Sequence, residues 1–410
     1  MATRTSAAPY WRDRIEVSKM MAPTDPPAPD RPKRRVRYAG KNPRRFDEKY
    51  KEHDPVRYAA DVAKVVAGGK TPAGSHRPIM VAEILEALAP GPGGVVVDCT
   101  LGYGGHAREL LAQVAPRPSG PPPAAEAMTS EGTGSPGAAF SGGAAAATEA
   151  MPQGRLIGLD VDPIEQPKTI ARLRDEGFGE DVFTPVRRNF AGLPQVLAEL
   201  GIEGADAILA DLGVSSMQLD DPSRGFTFKD DGPLDLRLNP MRPPSAADLL
   251  ASIRVDRLEA LLAENSDEPD AATLAREIVA VRDRAPITRT RQLADALRGI
   301  LAGSRLSRGR DADNACVRRV FQALRIAVND EFGVLDTFLR NLPGCRRPGG
   351  RVAVLTFHSG EDRRVKKAFQ EGERNGTYSA VARDVVRATP EEQRSNPRSA
   401  PAKLRWAVRA

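Results

Sequence analysis

Apolar residues along this chain fall into short β-branched blocks that alternate with stretches of helical period. Val81–Leu88 places Ile84, Leu85 and Leu88 on one side of a helix. Val95-Val96-Val97 then reads as a buried strand, and Ala107-Arg108-Glu109-Leu110-Leu111 as a helix. Strand composition recurs over 155–159, 182–187, 207–210 and 351–357, and Lys403–Arg409 alternates as a half-buried last strand. Between the fourth and fifth of these strands, residues 245–301 carry no strand signal. Leu249, Leu250, Ile253, Leu258, Leu261 and Leu262 repeat there at helical spacing, behind a Ser245-x-x-Asp248 capping box. Thr290 predicts the cap of a further helix through Leu297. Apolar positions 320, 324, 328, 332 and 335 predict one continuous helix, and Pro348-Gly349-Gly350 a turn before the next strand. Strands alternating with helices predict a parallel α/β sheet, with a helical domain set into it.

Two stretches lack the apolar residues needed for a core. Residues 1–30 are rich in Pro, Ala and charge, and 115–153 in Pro, Ala, Gly, Ser and Thr; both compositions predict disorder, the second as a looped-out insert. Residues 31–51 are basic, with Tyr38, Phe46 and Tyr50 interleaved. That pattern suits RNA phosphates and stacked bases, and equally a solvated tail; a short helix is expected over 54–66. The resulting layout is an extension over 1–75, a first part of the main domain over 76–239, an inserted helical domain over 240–317 and a second part over 318–410.

Composition narrows the classes. The 410 residues carry 60 Lys and Arg against 54 Asp and Glu, a surplus of 6 that permits a polyanionic partner. Cys99, Cys316 and Cys345 are too far apart for a disulfide framework or a zinc site, and the four histidines have no metal-ligand spacing. No metal is expected. No apolar run approaches the ~20 residues of a membrane span, and the first 30 residues lack a secretory core. A reducing, cytoplasmic setting is expected.

The candidate chemistry gathers where strands end. Asp98-Cys99-Thr100-Leu101-Gly102-Tyr103-Gly104-Gly105-His106 joins a strand to a helix through glycines, the form of a turn that lets a ligand approach the backbone and a helix N-terminus. Excluding the insert, Asp160 falls 16 positions past Gly105, near the ~20 at which an acidic residue bonds ribose hydroxyls in a nucleotide-binding βαβ unit. Asp162 is the fallback. Phe190 follows the third strand, where it suits an adenine face. Asp211-Leu212-Gly213-Val214-Ser215-Ser216-Met217-Gln218 follows the fourth, and His358-Ser359 the fifth. Ligands of parallel sheets bind outside the carboxyl ends of the strands, so these segments share one side. The basic stretch over 304–319 either grips phosphates or is a charged loop.

Taken together, Asp98-x-Thr100-x-Gly102-x-Gly104-Gly105-His106, Asp160-x-Asp162-Pro163, Asp211-Leu212-Gly213-Val214-Ser215-Ser216-x-Gln218-Leu219-Asp220, Arg224-Gly225-Phe226, Asp231-Gly232-Pro233-Leu234-Asp235, Phe321-Gln322-Ala323-Leu324-Arg325-Ile326 and Phe357-His358-Ser359 resemble the MraW/RsmH family. Its members are bacterial methyltransferases acting on the N4 amine of a cytosine in 16S ribosomal RNA. The resemblance runs from about His76 to the C-terminus, with 1–75 and 115–153 outside it. It implies a Rossmann-like S-adenosylmethionine-dependent methyltransferase sheet with an inserted small helical domain. It also implies cofactor contacts at Gly104, Gly105, His106, Asp160, Phe190, Asp211 and Gln218. The amine's acceptor is either Asp211 or a nearby backbone carbonyl, with Ser215, Ser216 and His358 as secondary candidates. The sequence departs from the family at Tyr103 (usually Arg), at Pro167 within the helix after Asp160, at Gly360 (usually Leu) and at Asn314-Ala315-Cys316-Val317 (usually His-Pro-Ala-Thr). Two rival readings are a nicotinamide oxidoreductase, against which the incomplete glycine fingerprint counts, and a ribosome-assembly protein without catalysis.

Overall fold

The structure, a computed structural model, describes residues 78–115, 153–304 and 306–410. The basic run over 31–51, the helix expected over 54–66, nearly all of the 115–153 stretch and Arg305 lie outside the described residues.

Seven strands make one sheet: β1 (Val95–Asp98), β2 (Arg155–Asp160), β3 (Phe183–Arg187), β4 (Ala205–Asp211), β5 (Arg346–Thr356), β6 (Tyr378–Val381) and β7 (Lys403–Arg409), in the order β3-β2-β1-β4-β5-β7-β6. Strands β1 to β5 are parallel, and β7 runs antiparallel between β5 and β6. The order reverses at β1 and β4, which opens a crevice between their carboxyl ends. This is the expected methyltransferase sheet.

The helices follow the same logic. Helices α1 (Val81–Leu88), α2 (Gly105–Val114), α3 (Glu165–Asp175) and α4 (Leu193–Glu199) alternate with the first strands, and α5 (Ser216–Asp220) follows β4. Then come α6 (Ala246–Ser252), α7 (Val255–Ser266), α8 (Ala271–Arg284), α9 (Thr290–Gly303), α10 (Arg310–Asn329) and α11 (Glu331–Asn341) before β5. Helices α12 (Ser359–Arg374) and α13 (Pro390–Ser395) complete the chain. Successive strand residues point to opposite faces. Val96, Leu156, Leu209 and Leu355 therefore pack with Ile84, Leu88, Leu110 and Leu111 on one face. Val97, Ile157, Ile208 and Val354 pack with Val196, Leu335, Phe338 and Val365 on the other. A third core, including Leu250, Leu258, Leu274, Leu293, Leu297, Val320 and Leu324, belongs to the helices between β4 and β5.

Several local expectations change. The helix expected over 320–335 breaks at Asp330, whose φ of 49° ends α10 before α11 begins. The apolar stripe is unbroken because its first half serves the third core and its second half the sheet. Pro167 does not interrupt α3: it sits in the first turn, where its missing N–H has no helical partner to lose. Thr290 is not a cap. It follows the N-cap Arg289, is fully buried, accepts from Gly232 N at 3.0 Å and donates to the Asp230 carbonyl at 3.2 Å. Pro348-Gly349-Gly350 lies inside β5, where the register against β4 shifts between Ala205 and Ala207. Residues 314–317 are helical within α10, not a loop. The Ser245–Asp248 capping box forms as expected.

Asp162, just past β2, joins three parts of the molecule. It is 1% exposed. Its Oδ1 accepts from Ile164 N (2.8 Å) and Glu165 N (3.2 Å), and its Oδ2 from Gln218 Nε2 (2.7 Å) and Arg224 Nη1 (2.8 Å). Asp162→Ala leaves a buried guanidinium without its counter-charge. Urea unfolding should show a loss of about 3 kcal/mol, within the range for breaking one side of a buried ion pair, and Asp162→Asn should lose less.

The chain leaving α2 and the chain entering β2 touch, because the Val114 carbonyl accepts from both Gly93 N (3.0 Å) and Gly154 N (2.9 Å). Replacing residues 116–152 by a short Gly-Ser linker should therefore close without strain. The expected result is a thermal midpoint within a few degrees of the parent; a deletion that does not fold would show that the segment contributes to the core.

Candidate active site

The glycine turn after β1 is shaped by close approach. Gly102 and Gly104 have φ of 46° and 81°, and a Cβ on Gly104 would stand 2.8 Å from Thr169 Cγ2. The turn delivers the N-terminus of α2, with its unpaired N–H groups, to the carboxyl edge of the sheet. Asp160, the last residue of β2, fastens the turn: Oδ2 accepts from Gly102 N at 2.7 Å and Oδ1 from Asp162 N at 2.8 Å. The Val161 N–H also faces this carboxylate, which leaves one of its four acceptor sites open. Burial raises the Asp160 pKa, against the lowering effect of those N–H groups.

Asp98, His106 and Asp211 form an acidic centre beside this turn. Burial pushes the Asp98 carboxyl up to about 6, with His106 opposing, and the Asp211 carboxyl up to about 7, with Glu361 adding to the effect. Thr100 Oγ1 accepts from Asp211 N at 2.7 Å and fixes the end of β4 against the β1 turn. Asp211 Oδ2 lies 3.5 Å from His106 Nδ1. Its Oδ1 is closed off from solvent and has no hydrogen-bond partner among the described residues. An unpartnered buried acceptor is costly unless something donates to it. Motif reading placed Asp98 in the pattern but gave it no role; its position as the last residue of β1 was the available signal.

The structure assigns several other candidates firm local tasks. Gln218 has both ends engaged: Nε2 donates to Asp162, and Oε1 accepts from Ser215 N at 2.9 Å. Ser215 caps α5, its Oγ accepting from Gln218 N at 3.2 Å. Asp162, the alternative to Asp160, has its acceptor sites filled by four donors, which leaves Asp160 better placed for a ribose. Phe190 is half-buried, edge-on to Phe338 at 5.2 Å between centroids.

His358 stands apart from Asp211. Its ring lies against Phe332, and Nε2 is 3.1 Å from Glu361 Oε1, in poor hydrogen-bonding geometry. Burial would push the Glu361 carboxyl up, but His358 and Arg325 outweigh it and hold the pKa below its ordinary value. Glu361 also accepts from Phe357 N at 2.9 Å, and Arg325 forks onto Glu331 with two contacts of 2.8 Å. His358 and Asp211 thus end near neighbouring strand ends without a hydrogen bond between them.

The third core reaches the same edge. Asp267 accepts from Ser359 Oγ at 3.0 Å and Arg363 Nη2 at 3.1 Å, beside a cavity of about 510 Å³ lined in part by Ala315 and Cys316. In the basic stretch over 304–319, Arg308 pairs with Asp270 and Arg319 with Glu268. All three cysteines are free and buried, and no helix among the described residues is long and apolar enough to cross a membrane.

Comparison with known proteins bears on this arrangement. The model of the MraW methylase family matches residues 73–118 and 138–410. Ribosomal RNA small subunit methyltransferase H 1 of Lachnoclostridium phytofermentans is 45% identical over 379 residues, covering 92% of this chain and 93% of its own. Ribosomal RNA small subunit methyltransferase H 2 of Alkaliphilus metalliredigens is 44% identical, covering 92% and 97%, and the H 1 protein of Agathobacter rectalis 44%, covering 92% and 98%. Such coverage exceeds the roughly four-fifths of the chain that 76–410 represents, so these matches reach into the basic extension. The family match also takes in 138–153, part of the stretch read as an insert. Both findings narrow the stretches expected to lie outside the resemblance, while 119–137 remains outside the family match. Matched by the family model over most of its length and by these relatives over 92% of it, the chain belongs to the MraW methylase family.

Proposed function

We propose that this protein transfers the methyl group of S-adenosylmethionine to the exocyclic N4 amine of a cytosine in 16S ribosomal RNA of the small ribosomal subunit, in the cytoplasm. The observation that carries the reading is the partly exposed Asp211 carboxyl at the crevice between β1 and β4, one of whose oxygens has no donor among the described residues. The relatives' names supply the RNA: each is a small-subunit ribosomal RNA methyltransferase.

The residues present fit the cofactor. The N-terminus of α2 leaves backbone N–H groups at Gly105 and His106 for its polar parts, while the Gly104 N–H closes the turn onto the Leu101 carbonyl at 2.7 Å and Gly104 itself contributes close backbone approach. Asp160 keeps acceptor capacity for ribose hydroxyls, and Phe190 offers an aromatic surface for adenine. Asp98, Asp160 and Asp211 bring acid to the crevice, while the nearby Asp162 and Glu361 are matched by Arg224 and by Arg325 with His358. A site with surplus acid favours a cationic ligand. When bound, S-adenosylmethionine supplies a methyl group on a sulfonium, displaced in line by the amine while sulfur keeps the bonding electrons.

The chain's own contribution is positioning and proton acceptance. The cytosine amine is a weak nucleophile because its lone pair is delocalised into the ring. Asp211 accepts its N–H hydrogen at the carboxylate oxygen open to the crevice, returns density to nitrogen and takes the proton that nitrogen sheds on methylation. Thr100 and the β4–β5 pairing keep that oxygen in place, so most of the acceleration comes from orientation.

Labelled S-adenosylmethionine incubated with 30S subunits lacking the modification should give N4-methylcytidine on nucleoside analysis; label in another nucleoside, or none, overturns the reading. Asp160→Ala should weaken cofactor binding about tenfold or more by calorimetry, since the hydrogen bond at its open acceptor site is lost. In single turnover at saturating cofactor and RNA, the rate should fall from wild type to Asp211→Asn to Asp211→Ala. Near-wild-type turnover by Asp211→Ala would instead point to a backbone carbonyl over 212–215.

The pH dependence has a defined sign. The carboxylate is the proton acceptor, and burial keeps the acid form populated up to about pH 7. The kcat/KM for cofactor, which reports the free enzyme, should be full above that pH and fall about tenfold per unit below it. Asp211→Asn should remove this limb.

A further inference from the structure

The glycine turn is held by α3, the helix that follows β2, as well as by Asp160. Asp160 bonds the Gly102 N–H, and side chains of α3 bond the two carbonyls that come next. Thr169 Oγ1 donates to the Gly102 carbonyl at 2.5 Å, and Arg172 Nη2 donates to the Tyr103 carbonyl at 2.8 Å. The same Nη2 donates to Thr169 Oγ1 at 2.9 Å, and the guanidinium carbon lies 3.4 Å from the centre of the Tyr103 ring. Resting on the cofactor reading above, we infer that Arg172 is a positioning residue for S-adenosylmethionine: with Thr169 it fixes the shape of the glycine turn against which the cofactor binds.

Donors and acceptors match throughout this contact. Nη2 carries two hydrogens, one for the Tyr103 carbonyl and one for Thr169. The Thr169 hydroxyl gives its only hydrogen to the Gly102 carbonyl and accepts from Arg172 with a lone pair. Thr169 is fully buried, so its hydroxyl has to be paired within the protein. The turn needs such support. Gly102 and Gly104 stand at φ of 46° and 81°, and glycine has more conformational freedom to lose than any other residue. Its shape is therefore imposed from outside.

The helix that imposes it is well anchored. Asp162 Oδ1 accepts from Ile164 N and Glu165 N where α3 begins. Gln166 Nε2 donates to the Val186 carbonyl of β3 at 3.0 Å, and Leu173 is buried in the first core. Thr169 and Leu173 also lie under Gly104, where a Cβ would stand 2.8 Å from Thr169 Cγ2 and 3.4 Å from Leu173 Cδ1. Asp160 and α3 belong to one strand–helix unit, so the acid proposed for the ribose and the turn proposed for the polar parts keep one spacing. A loose turn would have to be ordered by the ligand, at the expense of affinity. Arg172 orders it beforehand.

Three substitutions test this. Arg172→Met keeps an unbranched stem and removes the donors and the charge. Arg172→Lys keeps the charge on a shorter reach. Tyr103→Leu removes the stacked ring and leaves the carbonyl bonds. By calorimetry, Arg172→Met should bind S-adenosylmethionine about tenfold more weakly, the scale for lost hydrogen bonds from a charged donor, with Arg172→Lys in between. Tyr103→Leu should lose about threefold, the scale of a half-exposed cation–π contact. Single-turnover rates at saturating cofactor and RNA should stay within about threefold of wild type in all three, because the interaction serves the ground and transition states alike. Hydrogen exchange of the cofactor-free protein gives a readout without ligand. The Gly104 N–H donates to the Leu101 carbonyl at 2.7 Å, so its exchange reports opening of the turn. It should exchange about threefold or more faster in Arg172→Met, while the amides of β1 and β4 keep wild-type protection. The two milder variants decide the same questions where Arg172→Met does not fold. Wild-type cofactor affinity or wild-type Gly104 exchange in the Arg172 variants overturns the inference. Faster exchange spread over β1 and β4 also overturns it, since Arg172 would then serve the fold as a whole. So does a rate loss at saturating cofactor as large as the affinity loss, which would place Arg172 in the transfer step. Wild-type protein that binds no S-adenosylmethionine removes the cofactor reading itself, whereas Gly104 exchange still decides whether Arg172 holds the turn.

Discussion

A buried carboxylate has four acceptor sites and tolerates burial only when they are filled. Asp162 meets that requirement with donors from three places. Two are N–H groups of its own turn, one is the amide of Gln218 after β4, and one is the guanidinium of Arg224. Arg224 in turn donates to the carbonyls of Arg237 and Leu238, beyond the loop that leads into the third core. The crevice therefore has its shape because one charge must be solvated by protein. The turn after β2 cannot move without the turn after β4, and neither can move without the entrance to the helical insertion.

Against that saturated acid, the incompletely matched acids beside it acquire meaning. Asp162 has Arg224, and Glu361 has His358 with Arg325 near. Asp98 is buried and Asp211 half-buried at the same edge, with pKa values pushed to about 6 and about 7, and the nearby His106 is itself disfavoured as a cation by burial. Holding such groups costs stability in the free protein, a cost a cationic ligand and an N–H donor would relieve. Perturbed carboxyls collected in a crevice are the mark of a functional site, whereas equally buried acids with full complements of donors are structural.

The sequence made the parallel sheet legible because most strands carry short apolar runs ended by a polar residue and alternate with helices, whereas the order of the strands was visible only in the structure. It made the carboxyl edge legible for the same reason: Asp98, Asp160, Asp211 and His358 all stand at or just after strand ends. What it hid was tertiary. Gln218, read as a cofactor contact, and Ser215, a secondary candidate for the amine's acceptor, also bond each other, and Gln218 bonds Asp162, 56 positions away, a link that no spacing rule announces. Thr290 had the composition of a cap, but Asp230 and Gly232 of the loop over 230–235 claim its hydroxyl. The stripe from Val320 to Leu335 kept helical period across Asp330 because two different cores read its two halves. Periodicity reports which face is buried, not what buries it.

The helical insertion occupies the one connection where it disturbs the sheet least. Strands β4 and β5 are parallel neighbours, so a crossover between them is obligatory, and α11 supplies it by packing Leu335 and Phe338 against the sheet. Everything between α5 and α11 is free to build a core of its own, and the third core is that addition. Because the crossover leaves β4 at its carboxyl end, the added helices necessarily begin over the crevice. Asn329, at the end of α10, accepts from Leu238 N and donates to the Leu236 carbonyl, and Asp267 meets Ser359 and Arg363 at the start of α12. The insertion is thus tied on both sides of the edge where Asp211 lies. On the transfer reading proposed above, an RNA reaching Asp211 passes the insertion, which would assign shape selection to the helices and chemistry to the strand ends.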